Sequence, residues 1–259
     1  MTKEWRLFLI AVQFLTRVPT PRLDKLPPDW LARSGKYFPV VGAMVGGVSA
    51  LVLLGAREIW SSGPLPALLA LAAGLAMTGA LHEDGLADTA DGLGGGHSPE
   101  QRRAIMKDPR LGAYGALVLG LFLAGKAAAL TGLPAPLAAA GLLSAHVGAR
   151  TAAVWTMSIL PYAAETAASK VDAPARGLRP WELALALAFA LAPPLLIIAP
   201  GPGIACLSAA ALAAFLLGRA SARRIGGHTG DVLGAVEQVY ELVFLVVLSG
   251  LSASGRMPA

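Results

Sequence analysis

The stretch YFPVVGAMVGGVSALVLLGA, residues 37–56, contains no charged side chain. Its length matches what an α-helix needs to cross the hydrocarbon core of a bilayer, about 20 residues. A second uncharged stretch covers residues 61–81, and Arg57 and Glu58 are the charged residues between the two. We therefore predict two membrane-spanning helices that are joined by a short turn.

Prolines divide the two long apolar regions that follow. Pro134-Ala135-Pro136 splits residues 111–164 into two stretches. A turn predicted at residues 200–203, rich in proline and glycine, splits residues 183–218 in the same way. We expect Pro193-Pro194 to kink the helix that precedes this turn.

A last apolar stretch at residues 232–251 brings the prediction to about seven spans. The composition agrees, since 55% of the 259 residues are hydrophobic and 14% are charged, whereas about 25% are charged in an ordinary soluble domain. The single cysteine, Cys206, excludes a disulfide scaffold. The sequence predicts an all-α fold, a polytopic transmembrane helical bundle that forms one integral membrane domain over residues 1–259.

Residues 1–36 are predicted to form an N-terminal interfacial segment. The apolar run from Trp5 to Leu15 contains Arg6 and Gln13 and is too short to cross a bilayer. An interfacial or re-entrant helix fits this length, with Trp5 at the level of the lipid headgroups.

Basic residues are distributed unevenly between the two ends of the predicted spans. Seventeen of the 21 Lys and Arg residues fall on one side. They lie in residues 1–37, 82–110, 161–180 and 219–231. Because basic loops stay on the cytoplasmic side of a membrane, we predict that these segments are cytoplasmic. The net charge of +5 is then explained by orientation toward anionic lipid, and we expect no nucleic-acid partner.

The motif that points to chemistry is HEDGLADTADG, residues 82–92. Asp84, Asp88 and Asp91 have the spacing i, i+4, i+7, so a helix would place all three on one face. Like charges repel one another unless a cation lies among them, and oxygen ligands favour Mg²⁺ or Mn²⁺ over zinc. We predict a metal site that acts on a diphosphate, with a solvated acidic helix end as the alternative. Its ligands would be Glu83, Asp84, Asp88 and Asp91.

Basic residues follow this motif within a predicted cytoplasmic catalytic loop, residues 82–110. These side chains are predicted to bind phosphate oxygens. For Arg102 and Arg103, a role only in setting the orientation of the loop relative to the membrane explains the positive charge equally well. The four are Arg102, Arg103, Lys107 and Arg110. Asp108 either orients one of them or joins the metal site. The glycines at residues 92–96 match no phosphate-binding motif and predict a flexible loop.

Residues 219–231 are predicted to form a second cytoplasmic active-site loop. Its last residues, GGHTGD, suit the start of a helix, where backbone amides face an anion. Thr229 is a candidate phosphate ligand and Asp231 a candidate metal ligand or general base, with a plain helix cap as the alternative. His82 and His228 are candidate proton-transfer groups.

Ionisable residues also occur inside the predicted spans. His146 and Arg150 lie one helical turn apart, as do Glu237 and Glu241, and Lys126 lies in a third span. Charges within a membrane are costly and are therefore functional candidates by default. Pairing between Arg150 and one of the glutamates is the structural alternative.

Taken together, these motifs resemble those of the cobalamin synthase family, the adenosylcobinamide-GDP ribazoletransferases. The similarity covers nearly the whole chain in the same order, and the acidic motif is its most specific part. A Ser often stands in the family where this chain has Pro109. Besides the acidic motif, the matching blocks are FLTRVP at 14–19, YFPVVG at 37–42, IMKDPRLG at 105–112 and GHTGDVLGA at 227–235.

The resemblance implies a bacterial inner-membrane transferase that joins adenosylcobinamide-GDP to α-ribazole or its 5′-phosphate and releases GMP. Its expected cofactor is Mg²⁺, with Mn²⁺ as the alternative, and its partners are the two substrates and the lipid bilayer; homo-oligomerisation is left open. The 5′-oxygen of α-ribazole would attack the phosphorus nearest cobinamide. Lys107 and Arg110 would stabilise the leaving phosphate, and Asp108, Asp231 or His82 would accept the proton.

Two other functions compete with this interpretation. A CDP-alcohol phosphatidyltransferase is also a membrane enzyme with an Asp motif, but its Asp-Gly is followed by Ala-Arg and by later Gly and Asp residues at intervals that this chain lacks. A divalent-cation transporter would place acids at the middle of the membrane in both halves of a repeat. This chain has no internal repeat, and its acidic motif lies at a predicted membrane edge.

Overall fold

The computed structural model describes residues 2–23, 29–61, 63–163 and 178–256, so most of the predicted loop 161–180 lies outside the described residues. Within these ranges the chain is helical, and β pairing is limited to one isolated bridge between Tyr162 and His228. The helices are α1 (Lys3–Leu15), α2 (Trp30–Ser34), α3 (Phe38–Ile59), α4 (Leu65–Thr78), α5 (Leu81–Gly95), α6 (Pro99–Met106), α7 (Ala113–Thr131), α8 (Ala135–Ile159), α9 (Pro180–Pro193), α10 (Pro200–Ile225) and α11 (Gly230–Ala253).

The all-α prediction and the polytopic membrane architecture are confirmed. Six helical stretches are long and apolar enough to cross a bilayer. They are Ala32–Ile59, Ala113–Thr131, Ala135–Ile159, Pro180–Ile198, Pro200–Ile225 and Gly230–Ala253. The N-terminal helix is also present, as α1, and six of its 13 residues are buried against the bundle.

The predicted span at residues 61–81 is shorter than expected. Helix α4 has 14 residues and ends at Gly79, whose φ of 66° is left-handed. Ala80 continues the left-handed turn with a φ of 58°, and α5 leaves at 91° to α4. The bend therefore turns the acidic motif out of the direction of α4.

Two further predictions about loops are wrong. The break before α10 falls at Ala199, and Pro200–Gly203 form the first turn of that helix. After Pro193, where a kink is predicted, the chain continues as a π-helical segment at Pro194–Ile198. The glycines at 92–96 do not form a flexible loop, because α5 continues through Gly95. A Cβ on Gly92 would lie 2.8 Å from the carbonyl oxygen of Arg102, so glycine allows α6 to pack closely on α5.

Helix α8 lies at the centre of the bundle, between α3 and α11. Small residues allow the close approach of α3, since a Cβ on Gly46 would lie 3.0 Å from the Cα of Leu143. Helix α11 packs in turn on α5, α7 and α10. The chain thus gathers α5, α7, α8 and α11 around one shared interior.

The predicted basic loops 82–110 and 219–231 meet at one end of the bundle. At that end the side chains of Arg102 and Arg103 reach the last residues of α10. At the opposite end Arg57 donates hydrogen bonds to the carbonyl oxygens of Leu130 and Thr131. The orientation of these segments relative to a membrane stays a prediction.

Candidate active site

The acidic motif lies on a helix, as its spacing predicts. Helix α5 carries Asp84 and Asp88 on the face directed away from the bundle interior, where Asp84 is exposed and Asp88 is half-buried. Beside this face, α5 crosses the beginning of α11 at two glycines. A Cβ on Gly85 would lie 2.8 Å from the carbonyl oxygen of Asp231, and a Cβ on Gly234 would lie 3.1 Å from that of His82. This close crossing brings Asp231 beside the motif.

Three carboxylates that repel one another therefore lie close together at one end of the bundle. We call Asp84, Asp88 and Asp231 the acidic face. The groups that act electrostatically on Asp88 are the carboxylates of Asp84, Asp231 and Asp91, all of them repulsive. Asp84 also repels the Asp231 carboxylate, and the attraction of Lys107 opposes this repulsion. Such a group of acids is stabilised by an added cation.

Asp91, the third acid of the predicted face, is used differently. Its Oδ2 accepts a hydrogen bond of 2.8 Å from the backbone N–H of Gly112, and its Oδ1 accepts one of 2.9 Å from that of Gly115. Asp91 thus caps the N-terminus of α7, where a carboxylate is favoured by the helix dipole. A Cβ on either glycine would collide with the Asp91 carboxylate. Both oxygens are committed to holding α7 against α5.

Glu83 and His82 point toward the bundle interior. Oε1 of Glu83 accepts a hydrogen bond of 2.9 Å from the side-chain amide of Gln238 on α11. His82 is buried, and its Nε2 lies 3.0 Å from Oε2 of Glu237. These two members of the predicted site therefore face a different group of charges from the one that contains Asp84 and Asp88.

That group is a buried charge cluster formed by Lys126, Arg150, Glu237 and Glu241. Arg150, which is 1% exposed, pairs through Nε with Glu237 at 3.2 Å and through Nη1 with Glu241. Nζ of Lys126 lies 2.6 Å from Oε2 of Glu241. Two cations thus balance two glutamates within the described bundle. The predicted pairing of Arg150 with a glutamate of the last span is confirmed.

His146 and Gln238 add polar contacts to the buried charge cluster. His146 Nδ1 lies 2.9 Å from Oε1 of Glu241. Lys126 donates a 2.6 Å hydrogen bond to Oε1 of Gln238, whose amide nitrogen reaches Glu83. Gln238 was not recognised from the sequence, although a polar residue between two glutamates of an apolar span was the available signal. It links the cluster to the acidic motif.

The Asp108 carboxylate is bound to Arg110. Its oxygens accept hydrogen bonds of 3.0 Å from Nε, 2.6 Å from Nη2 and 3.0 Å from the backbone N–H of Arg110. These hydrogen bonds lower the pKa of Asp108 to about 2. Of its predicted roles, orienting a basic residue agrees with the geometry. The role of general base does not, because a carboxylate with so low a pKa is a weak base.

Arg102 and Arg103 contact the C-terminus of α10. Arg102 Nη1 donates to the carbonyl oxygen of Arg224 at 3.3 Å, and Arg103 Nη1 donates to that of Ile225 at 2.8 Å. Cations are favourable at this end of a helix because its last carbonyl groups are unsatisfied. The geometry gives both guanidinium groups a structural partner, and their binding of phosphate stays a prediction.

Thr229 is the N-cap of α11. Its hydroxyl oxygen accepts a hydrogen bond of 3.3 Å from the backbone N–H of Val232, and the hydroxyl donates to Oδ2 of Asp231 at 3.4 Å. His228, just before it, is 1% exposed and packs against the ring of Tyr162. Burial lowers the pKa of His228 to about 4, so the imidazole is neutral at physiological pH.

The predicted four-ligand metal set does not form as one group. Across the described residues, no three His, Cys, Asp or Glu side chains are arranged to hold a metal ion by themselves. Asp91 and Glu83 are held by hydrogen bonds from other helices. Among Asp84, Asp88 and Asp231 the repulsion between carboxylates persists.

The fold and this site define a polytopic helical membrane protein with a carboxylate site at one end of its bundle. The chain belongs to the cobalamin-5-phosphate synthase (CobS) family, whose family model matches residues 7–249. No solved structure matches this chain. Membership in this family does not support either of the two competing functions, a CDP-alcohol phosphatidyltransferase or a divalent-cation transporter.

Several curated relatives are similar over almost their entire length. A protein of Leptothrix cholodnii is 44% identical over 259 residues, which cover 96% of this chain and 97% of the relative. One of Bradyrhizobium diazoefficiens is 41% identical, with 92% and 91% covered, and one of Ralstonia nicotianae is 39% identical, with 96% of each covered. All three are named adenosylcobinamide-GDP ribazoletransferase.

Proposed function

We propose that this chain is a membrane transferase that joins adenosylcobinamide-GDP to α-ribazole or its 5′-phosphate and releases GMP. Family membership and the names of the relatives support the overall reaction. The observation that carries its assignment to a site is the acidic face, where Asp84 and Asp88 of α5 meet Asp231 of α11. These residues are distant in sequence but lie close together in the fold. A cation bound there would offset their negative charge and would also bind the anionic diphosphate of the substrate.

The donor set of the acidic face fits Mg²⁺. This ion is usually held by one or two carboxylates together with substrate phosphates, so a complete set of protein ligands is not required. Asp84 and Asp88 would hold it together with the substrate phosphates, and Asp91 and Glu83 would support the helix from which they project. When bound, Mg²⁺ neutralises charge on the phosphate oxygens of the substrate.

The proposed step exchanges one phosphorus–oxygen bond for another. A ribose hydroxyl oxygen bonds to the phosphorus nearest cobinamide while the bond from that phosphorus to the bridging oxygen breaks, and GMP leaves with the bridging oxygen. An acceptor that carries a 5′-phosphate has no free 5′-hydroxyl. The nucleophile common to both acceptors is therefore a hydroxyl of the ribose ring, in place of the 5′-oxygen expected above.

Asp231 is the proposed acceptor of the hydroxyl proton. It lies on the acidic face, whereas Asp108 is bound by Arg110 and His82 lies beside Glu237 in the interior. Lys107, whose charge acts on Asp231, is proposed to stabilise the phosphate that leaves with GMP. The acidic face thus supplies the base, and the residue after α6 supplies the cation.

The acidic face is proposed to lie on the cytoplasmic side of a bacterial inner membrane. Its end of the bundle carries Lys107 and the other basic residues of the segments that follow α5 and α10. Basic segments are retained in the cytoplasm when a membrane protein is inserted. Homo-oligomerisation stays a prediction.

A turnover assay tests the proposed function. Full-length protein purified in detergent receives adenosylcobinamide-GDP, α-ribazole and Mg²⁺, and GMP release is followed over time. We expect release in the wild type, its loss on removal of divalent cations, and its loss in Asp84→Asn. Glu58→Gln, an exposed carboxylate at the opposite end of the bundle, is the matched control and keeps activity. Folded wild-type protein that releases no GMP overturns the proposal.

A further inference from the structure

A cavity of about 400 Å³ lies beside the acidic face, between the end of α5 and the beginning of α7. Its apolar lining includes Ile105 and Tyr114, and its polar lining includes Asp108 and Arg110. Asp91 lines it as well and acts electrostatically on Asp88. The cavity is therefore adjacent to the carboxylates proposed to bind the diphosphate, and its volume is in the range of small-molecule sites.

Tyr114 forms one wall of this cavity with a ring that rests on bare backbone. A Cβ on Gly94 would lie 2.8 Å from Cγ of Tyr114 and 3.0 Å from Cδ2. The ring is thus packed on α5 from one side, and the residue stays 55% exposed. An aromatic ring supported on one side and open on the other suits the stacking of a planar heterocycle. This gives Gly94, in the stretch that matched no phosphate-binding motif, a role.

Arg110 and Asp108 supply polar groups at the rim. The Asp108 carboxylate fixes the guanidinium by hydrogen bonds to Nε and Nη2, which leaves the Nη1 edge directed away from Asp108. The Arg110 side chain is 86% exposed. A fixed and accessible guanidinium is suited to a phosphate oxygen or to a polar edge of a base. The rim therefore combines one positive and one negative group beside an aromatic wall.

We propose that this cavity binds the guanosine end of the GDP-linked substrate, with the base stacked on Tyr114. The inference rests on the proposed function, because it assigns one part of that substrate. A guanine ring has donors and acceptors along its edge that match Asp108 and Arg110. The dimethylbenzimidazole of α-ribazole has methyl groups there, and a corrin ring with its side chains is larger than the cavity. The guanosine position then leaves the diphosphate at the acidic face.

Binding of GMP to the full-length protein in detergent with Mg²⁺ tests this assignment. We expect Tyr114→Ala to weaken GMP binding at least tenfold and to raise the KM for adenosylcobinamide-GDP by a similar factor. The KM for α-ribazole and the kcat at saturating substrates stay within about twofold. Tyr114→Phe, which keeps the ring, retains wild-type binding. Trp60→Ala removes an exposed aromatic ring at the opposite end of the bundle and is the matched control.

Gly94→Ala provides a second test, because its methyl group displaces the Tyr114 ring while the ring itself is kept. We expect it to weaken GMP binding in the same direction as Tyr114→Ala. Unchanged GMP binding in both variants overturns the inference, and so does a rise in the KM for α-ribazole in place of that for adenosylcobinamide-GDP. GMP binding that depends on Tyr114 in a protein without turnover supports the cavity and rejects the proposed function.

Discussion

The acidic face and the buried charge cluster contain the same type of side chain in opposite situations. Glu237 and Glu241 lie in the bundle interior and are paired with Arg150 and Lys126. On the acidic face, Asp88 is surrounded by other carboxylates. A paired acid inside a protein holds two helices together. A group of acids that repel one another is stabilised when a cation binds among them. The comparison thus separates structural carboxylates from those proposed to act on substrate.

The largest effect is expected when one cation is removed from the buried charge cluster. Arg150→Met leaves Glu237 without its ion-pair partner and removes one partner of Glu241. The loss of one partner of a buried pair costs about 3–5 kcal/mol, so we expect a strong fall in the unfolding midpoint and in folded yield. The double variant Arg150→Met/Glu237→Gln removes one charge of each sign and is expected to recover part of the loss. Equal stability of the single variant and the wild type would contradict the assignment of this cluster as structural.

A conservative change on the acidic face is expected to affect turnover and to spare stability. Asp88→Asn removes one of the carboxylates proposed to hold Mg²⁺, and loss of such an electrostatic group lowers kcat by about 10²–10³-fold. Because the change relieves repulsion from Asp84, Asp91 and Asp231, the unfolding midpoint without Mg²⁺ stays the same or rises. GMP release and thermal unfolding are measured on the same preparation. Glu241→Gln, the comparable change in the cluster, is expected to lower the midpoint instead.

The crossing of α5 and α11 connects the two regions and can be perturbed by one methyl group. In Gly85→Ala the new Cβ meets the backbone of Asp231 at 2.8 Å, so α11 must move. We expect turnover to fall about tenfold to a hundredfold through misplacement of Asp231, and stability to fall by about 1–3 kcal/mol. Gly47→Ala on α3 has open space around its Cβ and is the matched control. Full activity of Gly85→Ala would show that the position of Asp231 is not critical.

The smallest effect on stability is expected for His228, a neutral side chain at the same end of the bundle as the acidic face. Its pKa is lowered by burial to about 4, from an ordinary value of 6.5. The unfolded chain therefore takes up a proton at a pH where the folded protein does not, and stability falls as the pH drops from 6.5 toward 4. Between pH 7 and pH 6 we expect a loss of about 0.7 kcal/mol from this group. Unfolding midpoints at several pH values, compared with those of His228→Gln, measure it; parallel curves would contradict the prediction.

Much of the fold could be predicted because span length and apolar composition are local properties. Six of the predicted spans correspond to long helices. Two of the errors occur at glycines, whose effect depends on what packs against them. Gly79 ends α4 early through a left-handed conformation, whereas Gly92 and Gly94 continue a helix because α6 and Tyr114 occupy the space where their side chains would be.

The candidate site was predicted in part for a similar reason. The spacing of Asp84 and Asp88 identifies one helix face directly. Asp91 is held by backbone amides that begin 21 residues later, and Glu83 by a side chain 155 residues later. Such partners cannot be inferred from helical periodicity, since they depend on how α7 and α11 pack on α5. Sequence spacing therefore defines which acids share a face, and tertiary packing decides which of them remain available.

The buried charge cluster also has a consequence for biogenesis. Lys126 and Arg150 belong to α7 and α8, which are synthesised before α11 delivers Glu237 and Glu241. A charged side chain at the centre of a lone inserted helix costs about 2.5–3.5 kcal/mol, so the earlier helices are under strain from unneutralised charge until α11 arrives. Arrival of α11 supplies the missing charges and, in the same event, carries Asp231 to the acidic motif. Packing of α11 into the bundle and completion of the candidate site are thereby the same step.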